Sequence, residues 1–202
     1  QNRGRGSGER DRGQYDRVEE VAWPDGCAAL YRRELFDHVG GFDEDFFAYG
    51  DDAELGLRAR IGGWKCVYVP GAIVHHRLGS TLGQYSEQRI FLIERNRVWL
   101  AAKLFPWRLL WLNPFYFLLR LVLTALSALA GRGDAGAAKR SIGISGLLKC
   151  IIKAEVAALV GLPAMLRKRR EIRSFRRLTP AEVAEVIHRF RLPLADLAGI
   201  ER

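Results

Sequence analysis

The sequence predicts an α/β segment followed by a basic, membrane-associated helical tail. Short β-rich runs alternate with helical ones between residues 18 and 76. A leucine- and tryptophan-rich stretch, Leu104–Ala130, comes next. Charge is also split along the 202 residues. Residues 1–94 hold 12 Lys/Arg against 16 Asp/Glu and residues 95–202 hold 20 against 7, so −4 and +13 make the net +9. An acidic front and a basic, leucine-rich back point to a catalytic piece joined to something that meets an anionic surface. The length allows one moderate domain with an appendage. Cys27, Cys66 and Cys150 are too far apart for a zinc spacing or a disulfide framework, which fits a reducing cytosol.

Residues 1–13 are rich in Arg and Gly with almost nothing apolar, so a disordered lead-in is expected there, without the apolar run of a signal peptide. Residues 14–103 form the expected folded segment. Within it, Val18–Trp23 and Cys27–Tyr31 read as strands across the turn Pro24-Asp25-Gly26. Arg33–Val39 makes two turns of helix, ended by Gly40-Gly41. Asp52–Ile61 reads as a helix with Glu54 and Arg58 as an i,i+4 pair, and Gly62-Gly63 stops it. Lys65–Val69 and Ala72–His76 are β-rich runs around Pro70-Gly71. Tyr85–Leu104 is a long helix whose apolar side comes from Ile90, Leu92, Ile93, Val98, Trp99 and Leu100.

Residues 104–132 are the hydrophobic part. The charge-free runs Leu109–Leu119 and Leu121–Gly131 are each about half of the ~20 residues a membrane span needs. A pair of helices lying in the headgroup region is the preferred expectation, with a single kinked span and a buried core hairpin as alternatives. Residues 133–202 form a basic helical tail. There Ser141–Leu166 shows Lys149, Lys153 and Glu155 on its polar side. Arg167-Lys168-Arg169-Arg170, then Arg173, Arg176 and Arg177, suit contact with anionic lipid headgroups. No aromatic platform is interleaved with these arginines, which argues against nucleic acid. Thr179-Pro180-Ala181-Glu182 is a capping box that starts a last helix running to about Phe190.

The stretch Gly40–Leu55 organises the chain chemically. It packs six carboxylates into the thirteen residues Asp43–Leu55, among aromatic residues and glycines. Acids held against apolar rings have perturbed proton affinity, which suits a general base or a site near a metal. The plain alternative is a helix N-terminus, with Asp51 or Asp52 capping a helix that begins near Ala53.

Several motifs in order resemble the second half of a family 2 glycosyltransferase. They are Trp23-Pro24-Asp25-Gly26-Cys27, Val39-Gly40-Gly41-Phe42-Asp43-Glu44-Asp45, Tyr49-Gly50-Asp51-Asp52-Ala53-Glu54-Leu55 with Arg58, Gly63-Trp64-Lys65, Val69-Pro70-Gly71-Ala72, Val74-His75-His76 and Glu94-Arg95-Asn96-Arg97. The series is most similar to the rhamnosyltransferase-like and galactofuranosyltransferase-like branch, and it covers residues 18–97. That resemblance implies a GT-A fold, of which this chain would carry the acceptor-side half of the sheet. It implies transfer of a sugar from a nucleotide-sugar donor to a lipid-linked or cell-envelope polysaccharide acceptor, with inversion, on the cytoplasmic face of a bacterial inner membrane. Asp52 would be the general base and Asp51 its acidic neighbour. Trp23, Asp25, Asp43, Glu44, Arg58 and Arg95 would bind substrate. His76, with His75 as the second candidate, would hold a divalent cation, Mn²⁺ or Mg²⁺, that neutralises the departing diphosphate. The family's donor-side Asp-x-Asp motif follows an apolar strand, and residues 1–42 supply neither the motif nor a nucleotide-binding βαβ unit. Asp43-Glu44-Asp45 matches the letters alone. The expectation is therefore the C-terminal portion of such an enzyme, with a non-catalytic membrane-surface module as the alternative.

Overall fold

The computed structural model describes residues 9–77, 79–131 and 133–191. Residues 1–8 of the expected lead-in and residues 192–202 of the expected tail lie outside the described residues. Helix α2 (Asp51–Ile61) is the hub, because every residue from Ala53 to Ile61 is buried. Leu55 and Ala59 pack on Leu35 and Val39 of helix α1 (Arg33–Val39). Leu57 and Ile61 meet Leu104 at the end of helix α3 (Glu87–Leu104), together with Ile172 and Val183 from much later in the chain. A helix enclosed on all sides cannot leave its charges to water, so each must find a partner inside. Glu54 pairs with Arg58 and Lys103, and Arg60 pairs with Glu20.

Strand β1 (Glu19–Val21) pairs antiparallel with strand β2 (Cys66–Tyr68), placing Glu19 opposite Tyr68 and Val21 opposite Cys66. The other two expected strands do not form. Cys27–Tyr31 is turn and coil, and Ala72–His76 is irregular and exposed. A β-rich run becomes a strand only where a neighbour offers a hydrogen-bonding ladder, and among the described residues only β1 and β2 pair. The described residues are thus mostly helical with a single two-stranded ladder, and the expected half of a GT-A sheet does not appear among them.

Helix α5 (Gly133–Glu171) makes the most extensive helix contact, along α3, and outruns the expected Ser141–Leu166 at both ends. Gly143, at φ 71°, interrupts it. Small residues let the two backbones approach. Ala154 and Ala158 are fully buried, and a Cβ at Gly161 would stand 2.4 Å from the Trp99 ring. Trp99 Nε1 donates to the Ala158 carbonyl at 3.0 Å. Phe46, Ala102 and Met165 complete this cluster.

Helix α4 (Trp107–Leu129) is one continuous helix where the sequence suggested a pair. Pro114 removes one helical hydrogen bond without ending it. Arg120, which divides the apolar runs in sequence, turns toward the protein and its Nη1 donates to Glu94 at 2.8 Å. Arg97 lies beside this pair, donating to Glu155 at 3.0 Å and stacking over Phe117 at 4.5 Å. Trp107–Ser127 is long and apolar enough to cross a membrane by length and composition, with mean hydropathy 1.6 and none of it buried inside the protein.

The basic cluster divides by direction. Lys168 turns inward to Asp43 and Asp45, and Arg169 donates to the Ala102 carbonyl at 3.0 Å and lies over Trp107. Arg167, Arg170, Arg173 and Arg177 remain exposed. Helix α6 (Pro180–Arg189) starts at the expected Thr179–Glu182 capping box and lays Val183 against α2.

Candidate active site

The chain enters α2 through Gly50 at φ 90°, a left-handed conformation that favours glycine. Gly50 itself occupies the cap position, and no side chain caps the helix. Asp51 and Asp52 therefore open the first turn without serving as its cap. Asp52 Oδ1 accepts from Ala53 N at 2.7 Å, while Oδ2 accepts from Gly26 N at 3.1 Å, 26 residues away in sequence. The second bond ties the turn Trp23–Gly26 to the acid pair. Burial pushes the Asp52 carboxyl above the ordinary aspartate value, the Ala53 and Gly26 amides oppose that, and the charges of Asp51 and Asp25 add to it. A carboxylate raised in this way is a better proton acceptor than one in water.

Tyr31 stands in the same neighbourhood. Its ring packs on Phe36 and Phe42, and its buried hydroxyl has no hydrogen-bond partner among the described residues. Burial, followed by the charge of Asp52, raises its pKa to about 12, so it stays a donor. Asp25 is exposed, with Oδ1 accepting from Cys27 N at 3.3 Å.

Trp23 sits directly over α2, and Gly56 is what makes room for it. A Cβ at Gly56 would lie 2.1 Å from Trp23 Cβ and 3.2 Å from its Cα. Neither atom can rotate away, so Gly56→Ala has to move the turn itself and draw Gly26 off Asp52. The expected cost is about 1–3 kcal/mol of stability, an overpacking penalty read from the urea midpoint. An unchanged midpoint would show that the turn does not rest on α2.

Asp43, Glu44 and Arg58 belong to a second cluster. The Arg58 guanidinium is wholly engaged, donating to Glu54 and to the carbonyls of Val39, Gly40 and Gly41. It holds the glycine turn in place. Asp43 pairs with Lys103 at 2.6 Å and with Lys168. Burial would raise the Asp43 pKa, but the two ammonium groups outweigh it and hold the carboxyl below its ordinary value. Glu44 is exposed at the start of a short 3₁₀ turn, Glu44–Phe46. An open cleft of about 460 Å³ runs along this cluster, bounded by Phe42, Lys168 and Phe175, and it does not include Asp51 or Asp52.

Arg95 is placed on α3, where it reaches the carbonyls of Asp45 and Phe46. His76 is exposed in irregular chain, and among the described residues no three of His, Cys, Asp and Glu gather as a metal would require. The described residues do not fit the expected cation, because its ligand set needs several donors converging on one point. No chemical step is therefore assigned to it.

Sequence reasoning missed Lys103, Gly56 and the role of Asn96. Asn96 carried the clearest signal, since it lies four residues from both Leu92 and Leu100 on the apolar side of α3, where an amide must have a partner.

Residues 7–90 match the family described as "Glycosyltransferase like family 2". The match covers less than half of the chain, and over it the sequence is similar to family 2 glycosyltransferases. The matched segment includes Trp23, Asp25, the acid pair, Arg58 and His76, and it ends at the start of α3. The chain is 40% identical over 93 residues to an N-acetylglucosaminyl-diphospho-decaprenol L-rhamnosyltransferase of Mycobacterium tuberculosis, covering 42% of this chain and 30% of that protein. It is 32% identical over 108 residues to a probable glucomannan 4-beta-mannosyltransferase of Oryza sativa subsp. japonica, covering 49% of this chain and 18% of that protein. It is 34% identical over 83 residues to an O-antigen biosynthesis protein of Myxococcus xanthus, covering 40% and 6%. The chain thus spans less than a third of the length of these curated relatives. No solved structure matches.

Proposed function

We propose that this chain is the acceptor-side portion of a GT-A glycosyltransferase that moves a sugar from a nucleotide-sugar donor to a lipid-linked glycan, with Asp52 as general base. The observation that carries this reading is the half-buried Asp52 carboxylate, raised in proton affinity and tied to Gly26, inside sequence that matches family 2. The acceptor oxygen attacks the anomeric carbon as its proton passes to Asp52. The bond from that carbon to the diphosphate oxygen breaks, and its electron pair leaves with the diphosphate. One displacement inverts the anomeric centre. A diphospholipid-linked acceptor and a rhamnosyl-type donor follow the M. tuberculosis relative's name. The product's anomeric configuration, read by proton NMR, is expected to be opposite to the donor's. Retention would overturn the single displacement.

The acceptor's lipid sets a second expectation. Helix α4 exposes Trp111, Phe115, Leu118 and Leu126, and α5 exposes Leu148, Ile152 and Leu159. Apolar faces this large, flanked by the exposed arginines after residue 166, suit the cytoplasmic surface of an anionic membrane. The chain is expected to float with vesicles of phosphatidylcholine and phosphatidylglycerol, and Leu148→Glu with Ile152→Glu to weaken that binding. A chain that stays at the bottom of the gradient contradicts membrane association.

A further inference from the structure

Just before the acid pair the backbone takes a shape that L residues resist. Phe47 has φ 62° and ψ −64°, and Tyr49 has φ 65°. Ala48 N donates back to the Phe46 carbonyl at 2.7 Å, so Phe46–Ala48 is a three-residue turn of the rare, strained hand. The turn sends Phe46 into the core against Trp99 and leaves Phe47 71% exposed. Such strain persists only where the surroundings over-determine it.

Two adjacent residues of α3 do that here. Asn96, 1% exposed, presents Nδ2 to the carbonyls of Phe46, Ala48 and Tyr49 at 2.9, 2.8 and 2.8 Å. Arg95 Nη2 donates to the carbonyls of Asp45 at 3.0 Å and Phe46 at 3.2 Å. Arg95 Nε donates to Asn96 Oδ1 at 3.0 Å, which fixes the way the amide faces, and its guanidinium lies 4.1 Å over the Trp99 ring. Only Gly50 separates Tyr49 from Asp51, and the Gly50 carbonyl accepts the first bond of α2 from Glu54 N at 2.8 Å. The strained turn therefore sets the angle at which α2 begins.

We infer that Arg95 and Asn96 form a clamp that positions the acid pair, with Asn96 the positioning residue for sugar transfer. A turn that relaxed would rotate the first turn of α2 and carry Asp52 away from Gly26 and from the acceptor hydroxyl. This inference rests on Asp52 as the base.

The test is steady-state kinetics on the longest reading frame that contains these 202 residues, comparing Asn96→Ala, Phe47→Gly, their combination and Asp52→Asn. Asn96→Ala is expected to lower kcat about tenfold to a hundredfold, with donor KM within about twofold, as for a displaced catalytic group. Adding Phe47→Gly is expected to restore most of the loss, because glycine holds a positive φ without the clamp. General loosening of the core would not be reversed by a substitution that adds no contact. Wild-type kcat in Asn96→Ala, or a loss that Phe47→Gly leaves untouched while Asp52→Asn is inactive, overturns the clamp alone. Full activity in Asp52→Asn removes the base and the clamp's catalytic role with it. Should Asn96→Ala fail to fold, Arg95→Lys replaces it, with a smaller fall in kcat that Phe47→Gly also reverses. No fall, or no reversal, then overturns the clamp.

Discussion

Glu54→Ala is expected to destabilise the fold by ~3–5 kcal/mol, the cost of cutting a buried ion pair from one side. Glu54 is fully buried, and its carboxylate accepts from Arg58 Nε and Nη2 at 2.9 Å each and faces Lys103 Nζ at 2.6 Å. Both cations are themselves buried, at 6% and 4% exposure. Removing the carboxylate leaves Arg58 with backbone carbonyls and Lys103 with Asp43 and the face of the Phe46 ring. Most domains have ~5–15 kcal/mol in total, so the variant should populate unfolded forms. Urea unfolding with an unchanged slope and a markedly lower midpoint is the expected record. A midpoint within error of wild type would mean that the charges around Glu54 are solvated. The same row of charges continues through Asp43 to Lys168 of α5, and it sets an acid limit. The Asp43 pKa is depressed in the fold, so its contribution is present above the unfolded value near 3.8 and is lost as pH falls through the lower folded value.

Asp52→Asn is expected to cost about 10²–10⁴-fold in kcat, the usual range for a general base, while leaving the fold intact. Asparagine keeps the shape and one acceptor for Gly26 or Ala53, but it cannot take the acceptor's proton. The pH dependence follows from the direction of the Asp52 shift. Its folded pKa is raised, so kcat/KM rises with pH through a limb that lies above 3.8 and then levels off. Stability moves the other way, with ionised Asp52 destabilising the fold above its folded pKa and the cost relieved as pH falls toward 3.8. A kcat/KM profile that is flat above pH 4 would assign the proton transfer to another group.

Local signals in the sequence were the legible ones. Arg33–Val39, the Glu54–Arg58 pair and the Thr179 capping box lie where spacing and caps placed them, within a residue or two. Gly40–Leu55 stands out by its six acids among aromatic residues and glycines, whereas the choice of Asp52 within it comes from the resemblance to family 2 alone. Long-range partners were not legible. Cys27–Tyr31 and Ala72–His76 have strand composition, but strand formation depends on a neighbour that no local window contains. Arg120 read as a break between two short helices, whereas Glu94 on α3 lets it sit within one. Lys168 read as part of a lipid-facing cluster, and its place opposite Asp43, 125 residues earlier, depends on the whole path of α5.

Asp52 is expected to take the acceptor's proton during transfer from a nucleotide sugar. The most direct measurement is nucleotide diphosphate release from a panel of nucleotide sugars, with a diphospholipid-linked glycan as acceptor. It compares the longest reading frame containing this chain with its Asp52→Asn variant. Release is expected with at least one donor, dependent on the acceptor and lost in Asp52→Asn. Silence on every donor while the protein still binds vesicles, or equal release from both forms, would contradict it.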